Sequence, residues 1–75
     1  ARGLLRRAYG FTAAEAAVAE SVARGERLGR IAERRGASIE TVRNQLKAAF
    51  AKAGVESQIE LAAAVHRLVG AASGR

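Results

Sequence analysis

Between Ser38 and Gly54 the apolar residues Ile39, Val42, Leu46, Ala49 and Phe50 return every three or four positions, which lines one side of an α-helix. The pattern predicts a helix of roughly 15 residues, about 22 Å long, capped by Ser38 and stopped at Gly54. Three further helices follow from similar signals. "TAAE" reads as a capping box from Thr12 to Glu15, with Phe11 as a staple before it and Ala14, Val18 and Val22 as its inward stripe. Gly25 ends that helix in a left-handed turn. Leu28, Ile31 and Ala32 face inward on a short helix from Leu28 to Arg35, terminated by Gly36. "SQIE" is a second capping box, opening a last helix from Ser57 to Val69 with Leu61, Ala64, Val65 and Leu68 inward. The expectation is an all-α, four-helix helix-turn-helix domain over residues 11–70. Residues 1–10 read as a linker or the end of an upstream segment, with Leu4, Leu5 and Tyr9 in one helical turn closed by Gly10. Residues 71–75 read as a frayed tail. Only Gly36 and Ala37 separate the second helix from the Ser38 cap of the third, and so tight a connection makes the two cross steeply.

Composition narrows the chemistry. The 75-residue chain has no cysteine, no aspartate and one histidine, which argues against a disulfide framework and a metal cage. No nucleophile-and-base constellation or phosphate-binding glycine loop is present, so neither an enzyme nor a cofactor is expected. The formal net charge is +6, from eleven arginines and two lysines against seven glutamates. It is uneven. Residues 1–10 hold three arginines and no acid, residues 24–52 hold eight basic groups and three glutamates, and the signs cancel beyond residue 53. A basic segment of this kind suits a polyanion, nucleic acid above all, although a solvated surface also accounts for charge alone. No apolar run approaches the ~20 residues of a membrane span, and no signal-peptide pattern appears. The chain therefore reads as soluble and cytoplasmic, without a membrane partner.

The outer face of the third helix is the most informative feature. Arg43, Asn44 and Lys47 point away from the Val42–Leu46–Phe50 stripe, with Thr41 and Gln45 along the flank. Arginine grips guanine through two parallel bonds, asparagine pairs with adenine, and lysine reaches guanine or phosphate. A short helix, a tight turn and a second helix carrying such side chains near its start is the geometry of major-groove reading. The third helix is thus the candidate recognition helix. Ser38 is a structural cap first, and its place at the start of the helix also makes it a candidate phosphate contact. Arg30, Arg34 and Arg35 form a basic cluster, either reaching phosphate or solvated and partly paired with Glu33.

The stretch "FTAAEAAVAESVARG…IAERRGASIETVRNQLKAAFAKAGVESQIELAAAV" resembles the LuxR-type (GerE, NarL, FixJ) DNA-binding domain from Phe11 to about Leu68. The landmarks are Thr12 and Glu15, Gly25, Ile31-Ala32, Ser38, Thr41-Val42-Arg43, Lys52, Gly54-Val55 and Glu60. The resemblance implies base contacts from Arg43, Asn44 and Lys47 and DNA-backbone contacts from Thr41 and Gln45. It also implies a homodimer on double-stranded DNA through the fourth helix, whose small-residue stripe is Ala62, Ala63, His66 and Val69. An upstream signal-sensing domain and RNA polymerase would be the further partners. The chain departs from the family pattern where proline is frequent at Ala13, leucine at Arg35, an aliphatic residue at Ala37, histidine at Gln45 and arginine at Gln58. Leu28 and Gly29 replace polar residues that often touch the DNA backbone, so Arg27 and Arg30 are the expected substitutes. Two rivals stand beside this reading. One is a sigma-factor-like promoter-binding region, which the capped fourth helix disfavours. The other is a protein-interaction module that kept the helix-turn-helix and binds an acidic surface.

Overall fold

The structure, a computed structural model, describes residues 1–72. It holds five helices: α1 (Arg2–Tyr9), α2 (Ala13–Ala23), α3 (Leu28–Arg35), α4 (Ile39–Ala53) and α5 (Gln58–Ala72). The expected count of four is therefore corrected to five. The additional helix is α1, within the segment read as a connector holding one helical turn. Its apolar residues, Leu4, Leu5, Ala8 and Tyr9, keep the helical spacing, but the helix is only 8 residues long and no side chain caps its start; Leu5 is fully buried and fixes α1 against α2 and α5. The other four helices lie where the hydrophobic pattern puts them. The last runs past Val69, so Ala71 and Ala72 are helical, while residues 73–75 of the expected frayed tail lie outside the described residues.

The core forms around α2, which packs against all four other helices. Its expected stripe was too narrow: Glu15, Ala16, Ala17, Val18, Ala19, Ser21 and Val22 are all buried, and Ala14 only partly so. Alanine explains the difference. A methyl side chain lets a neighbouring helix approach from any direction, so a helix buried nearly all round shows little one-sided pattern. Leu5, Phe11, Ile31, Val42, Leu46, Leu61 and Val65 fill the spaces between helices. Each such large side chain stabilises the fold by about 1.5–3 kcal/mol when fully buried.

The turn between α3 and α4 is closed by its own backbone. Gly36 adopts φ 65°, its amide donates to the Glu33 carbonyl at 3.2 Å, and the Ala37 amide donates to the Ala32 carbonyl at 2.9 Å. The left-handed conformation is why glycine stands there. Ala37 packs on the core while Arg35 is exposed, and the turn is tight without a large apolar side chain at either position.

A single ammonium ties three helices together. The Thr12–Glu15 capping box is complete, with the Thr12 amide 2.9 Å from Glu15 Oε1 and the Glu15 amide 3.1 Å from Thr12 Oγ1. Lys52 at the end of α4 donates to the same carboxylate at 2.7 Å and to the Gly10 carbonyl, just past α1, at 3.3 Å. The bond from Lys52, aided by the Thr12 amide, holds the Glu15 carboxyl below its ordinary value of 4.5. A lowered carboxyl adds stability in full above its unfolded value and loses it as pH falls through the folded one. Lys52→Met is expected to cost about 1 kcal/mol at pH 7, modest because the lysine is 37% exposed. Urea denaturation at neutral pH and below 4.5 should show the gap between variant and wild type shrinking in acid.

Candidate nucleic-acid interface

Helix α4 is built with two unlike sides. Val42, Leu46 and Ala49 are buried, whereas Thr41, Arg43, Asn44 and Lys47 are exposed. The structure thus brings the three expected base-reading residues, Arg43, Asn44 and Lys47, onto one solvent-facing surface. Ser38 starts the helix as expected: its hydroxyl oxygen accepts from the Thr41 amide at 3.1 Å and its hydroxyl donates to Thr41 Oγ1 at 3.0 Å. Arg43 lies 3.6 Å from Glu40 in an exposed i,i+3 pair. Such pairs contribute about 0–1 kcal/mol and are easily exchanged for a stronger anion. Neither Asn44 nor Lys47 has a side-chain hydrogen bond or ion pair among the described residues.

Gln45 behaves differently from its neighbours. It is half-buried on the flank of α4, and its Oε1 is buried with no hydrogen-bond donor among the described residues. A buried acceptor left unpaired costs about 1–3 kcal/mol. The carbonyl end turns inward, so a phosphate contact from Gln45 falls to the amide nitrogen.

The arginines of α3 divide into two groups. Arg27 stands at the start of α3 without a side-chain capping bond, and Arg27, Arg30 and Arg35 are exposed and unpaired among the described residues. Arg34 is instead committed to the fold. Its Nη2 donates to Glu26 Oε1 and to the Ser21 hydroxyl, both at 2.9 Å. Arg24 lies 3.6 Å from both Glu20 and Glu26 and completes the cluster. The Arg34 guanidinium lowers the Glu26 carboxyl, and Glu26 in turn raises Arg34. Sequence reasoning offered Glu33 as the acid for this cluster and missed Glu26, because the pair joins the loop before α3 to the last turn of α3 at a separation of eight residues. No local helix spacing signals it. The seryl hydroxyl of Ser21, buried within an alanine-rich helix, was the available clue.

The stripe expected to pair two copies is partly used inside the chain. Ala62 and Ala63 are half-buried, and Ala62 lines an open groove beside Val22 and Ala23 at the end of α2. His66 Nε2 lies 2.9 Å from the Ala23 carbonyl; a carbonyl only accepts, so this nitrogen carries the proton and donates. Val69 is 38% exposed. Ile59, which the sequence reading passed over as part of a capping box, is 84% exposed. It shares the outer face with Ala63 and His66 at i, i+4 and i+7, the spacing that would have revealed it.

Among the described residues, no three metal-ligating side chains converge, and no helix is long and apolar enough to cross a membrane. Gln45→Met, which removes the unpaired acceptor and keeps the volume, is expected to stabilise the free chain by about 1 kcal/mol. Thermal unfolding followed by circular dichroism should register a rise of roughly 4–8 °C. Comparison with protein-family models, characterised proteins and solved structures yields no match to this chain.

Proposed function

We propose that this chain is the sequence-specific DNA-binding domain of a LuxR-type transcription regulator, acting in the cytoplasm. The observation that carries the reading is the two-sided build of α4. Its inner face is locked into the core at Val42, Leu46 and Ala49, while Thr41, Arg43, Asn44 and Lys47 stand together in solvent directly after a closed three-residue turn. In this reading α4 enters the major groove as the recognition helix. Arg43, Asn44 and Lys47 meet base edges, and Ser38 and Thr41 hold the DNA backbone near the start of the helix. Arg27 and Arg30 supply backbone charge from α3, and the Gln45 amide nitrogen adds a donor on the flank. Affinity then comes mainly from phosphate contacts and is salt-dependent, whereas preference comes from α4.

Two copies pair through the outer face of α5. The exposed Ile59 and Val69 are the residues that a second copy covers, with Ala62, Ala63 and His66 beside them. A signal-sensing domain upstream and RNA polymerase are the remaining partners of the reading.

Selection from random duplexes should return an inverted repeat with half-sites about 10 base pairs apart, centre to centre. Arg43→Ala should cost about 1–3 kcal/mol and relax preference at one base pair. Equal weakening on every sequence would reduce Arg43 to a phosphate contact. Ile59→Glu or Val69→Glu should leave the monomer folded and abolish cooperative occupancy of the double site. Unchanged occupancy by both variants would place the dimer contact elsewhere.

A further inference from the structure

One exposed face of α1 carries Gly3, Arg6 and Arg7 and ends at Gly10. These positions follow the i, i+3, i+4, i+7 spacing of one helical stripe and, with Phe11, line an open groove. Both arginines are exposed and have no ion pair or hydrogen-bonded acid among the described residues. Residues 1–10 contain no acid at all.

Glycine at position 3 is the second observation. Gly3 lies inside a helix and lacks the left-handed conformation that would call for glycine. A Cβ built there would meet only Arg7 Nη1, at an ordinary 3.6 Å, so internal packing does not require glycine either. Glycine weakens a helix relative to alanine, and close approach of an outside group to the backbone is a use that offsets this. The same combination occurs on α3, where helical Gly29, with open space around it, sits between Arg27 and Arg30.

Helix α1 is also held rigidly. Leu5 is fully buried, Arg2 pairs with Glu20 at 3.0 Å, and the carbonyl of Gly10 accepts from Lys52 at 3.3 Å. The helix is thus placed in advance, and binding has only the two side chains left to order.

We infer that Arg6 and Arg7 form a second phosphate-binding face that grips the DNA backbone away from the groove read by α4, with Gly3 allowing the strand to come close. The inference rests on the DNA-binding reading. In it α1 adds affinity without sequence preference, because phosphates are alike in every sequence.

The test is duplex binding by fluorescence anisotropy between about 50 and 200 mM salt, where log K falls by about 0.9 per phosphate neutralised. R6A/R7A should flatten the slope by nearly two and leave the ranking of different duplexes unchanged, with circular dichroism confirming the fold. R6K/R7K should keep the slope. Gly3→Ala should raise the melting temperature yet weaken binding. An unchanged slope in R6A/R7A overturns the inference and leaves the α4 reading intact. A wild-type chain that ranks no duplex above another, while R6A/R7A still flattens the slope, removes base reading by α4 and upholds the α1 contact. A wild-type chain with no salt-dependent duplex binding overturns both.

Discussion

The fold depends on α2 having almost no side chains to get in the way. A small domain exposes a large share of its surface, so each helix has to serve several neighbours at once. Helix α2 does this with alanines at 16, 17 and 19, which let the flanking helices approach its backbone, while Val18 and Val22 fill the wider gaps. The approach of α4 to α2 sets the inner face of α4, and through it the outward direction of Arg43, Asn44 and Lys47. What a partner meets on the surface is therefore decided by methyl groups in the middle.

Much of this was legible in the chain. Helices α3 and α4 and the turn joining them follow from Ile31, Val42, Leu46 and two glycines, because large apolar residues at regular spacing leave a strong signal. The two-faced character of α4 was equally visible. Helix α1 was legible only as one turn, since Leu4, Leu5 and Tyr9 keep helical spacing over too short a stretch, without a capping side chain, to mark a full helix. The all-round burial of α2 was hidden because alanine suits both inside and outside. The candidate site shows the same division. Exposure of the α4 residues could be read from helical geometry, whereas the commitment of Arg34 to Glu26 and of His66 to the Ala23 carbonyl depends on how separate helices meet.

The chain's basic groups thus fall into distinct roles despite their similar chemistry. Arg2, Arg34 and Lys52 face carboxylates and tie separate elements together, and Arg24 faces Glu20 and Glu26 close by in the chain, so their charge is partly offset within the fold. Arg6, Arg7, Arg27, Arg30, Arg35 and Lys47 have no such acid among the described residues. Net charge alone overstates the field near the first group and understates it near the second.

The chain has only two lysines, and the structure gives them opposite surroundings. Lys47 projects into solvent from the outer face of α4, whereas Lys52 is engaged by the Glu15 carboxylate and the Gly10 carbonyl. Acylation removes the charge of an amine, which at Lys47 breaks no contact among the described residues and at Lys52 breaks the bonds to Glu15 and Gly10. The same modification therefore has unequal consequences: at Lys47 it changes the outer surface, and at Lys52 it unties the helix ends that the ammonium joins. Of the two amines, one belongs to the surface and the other to the integrity of the domain.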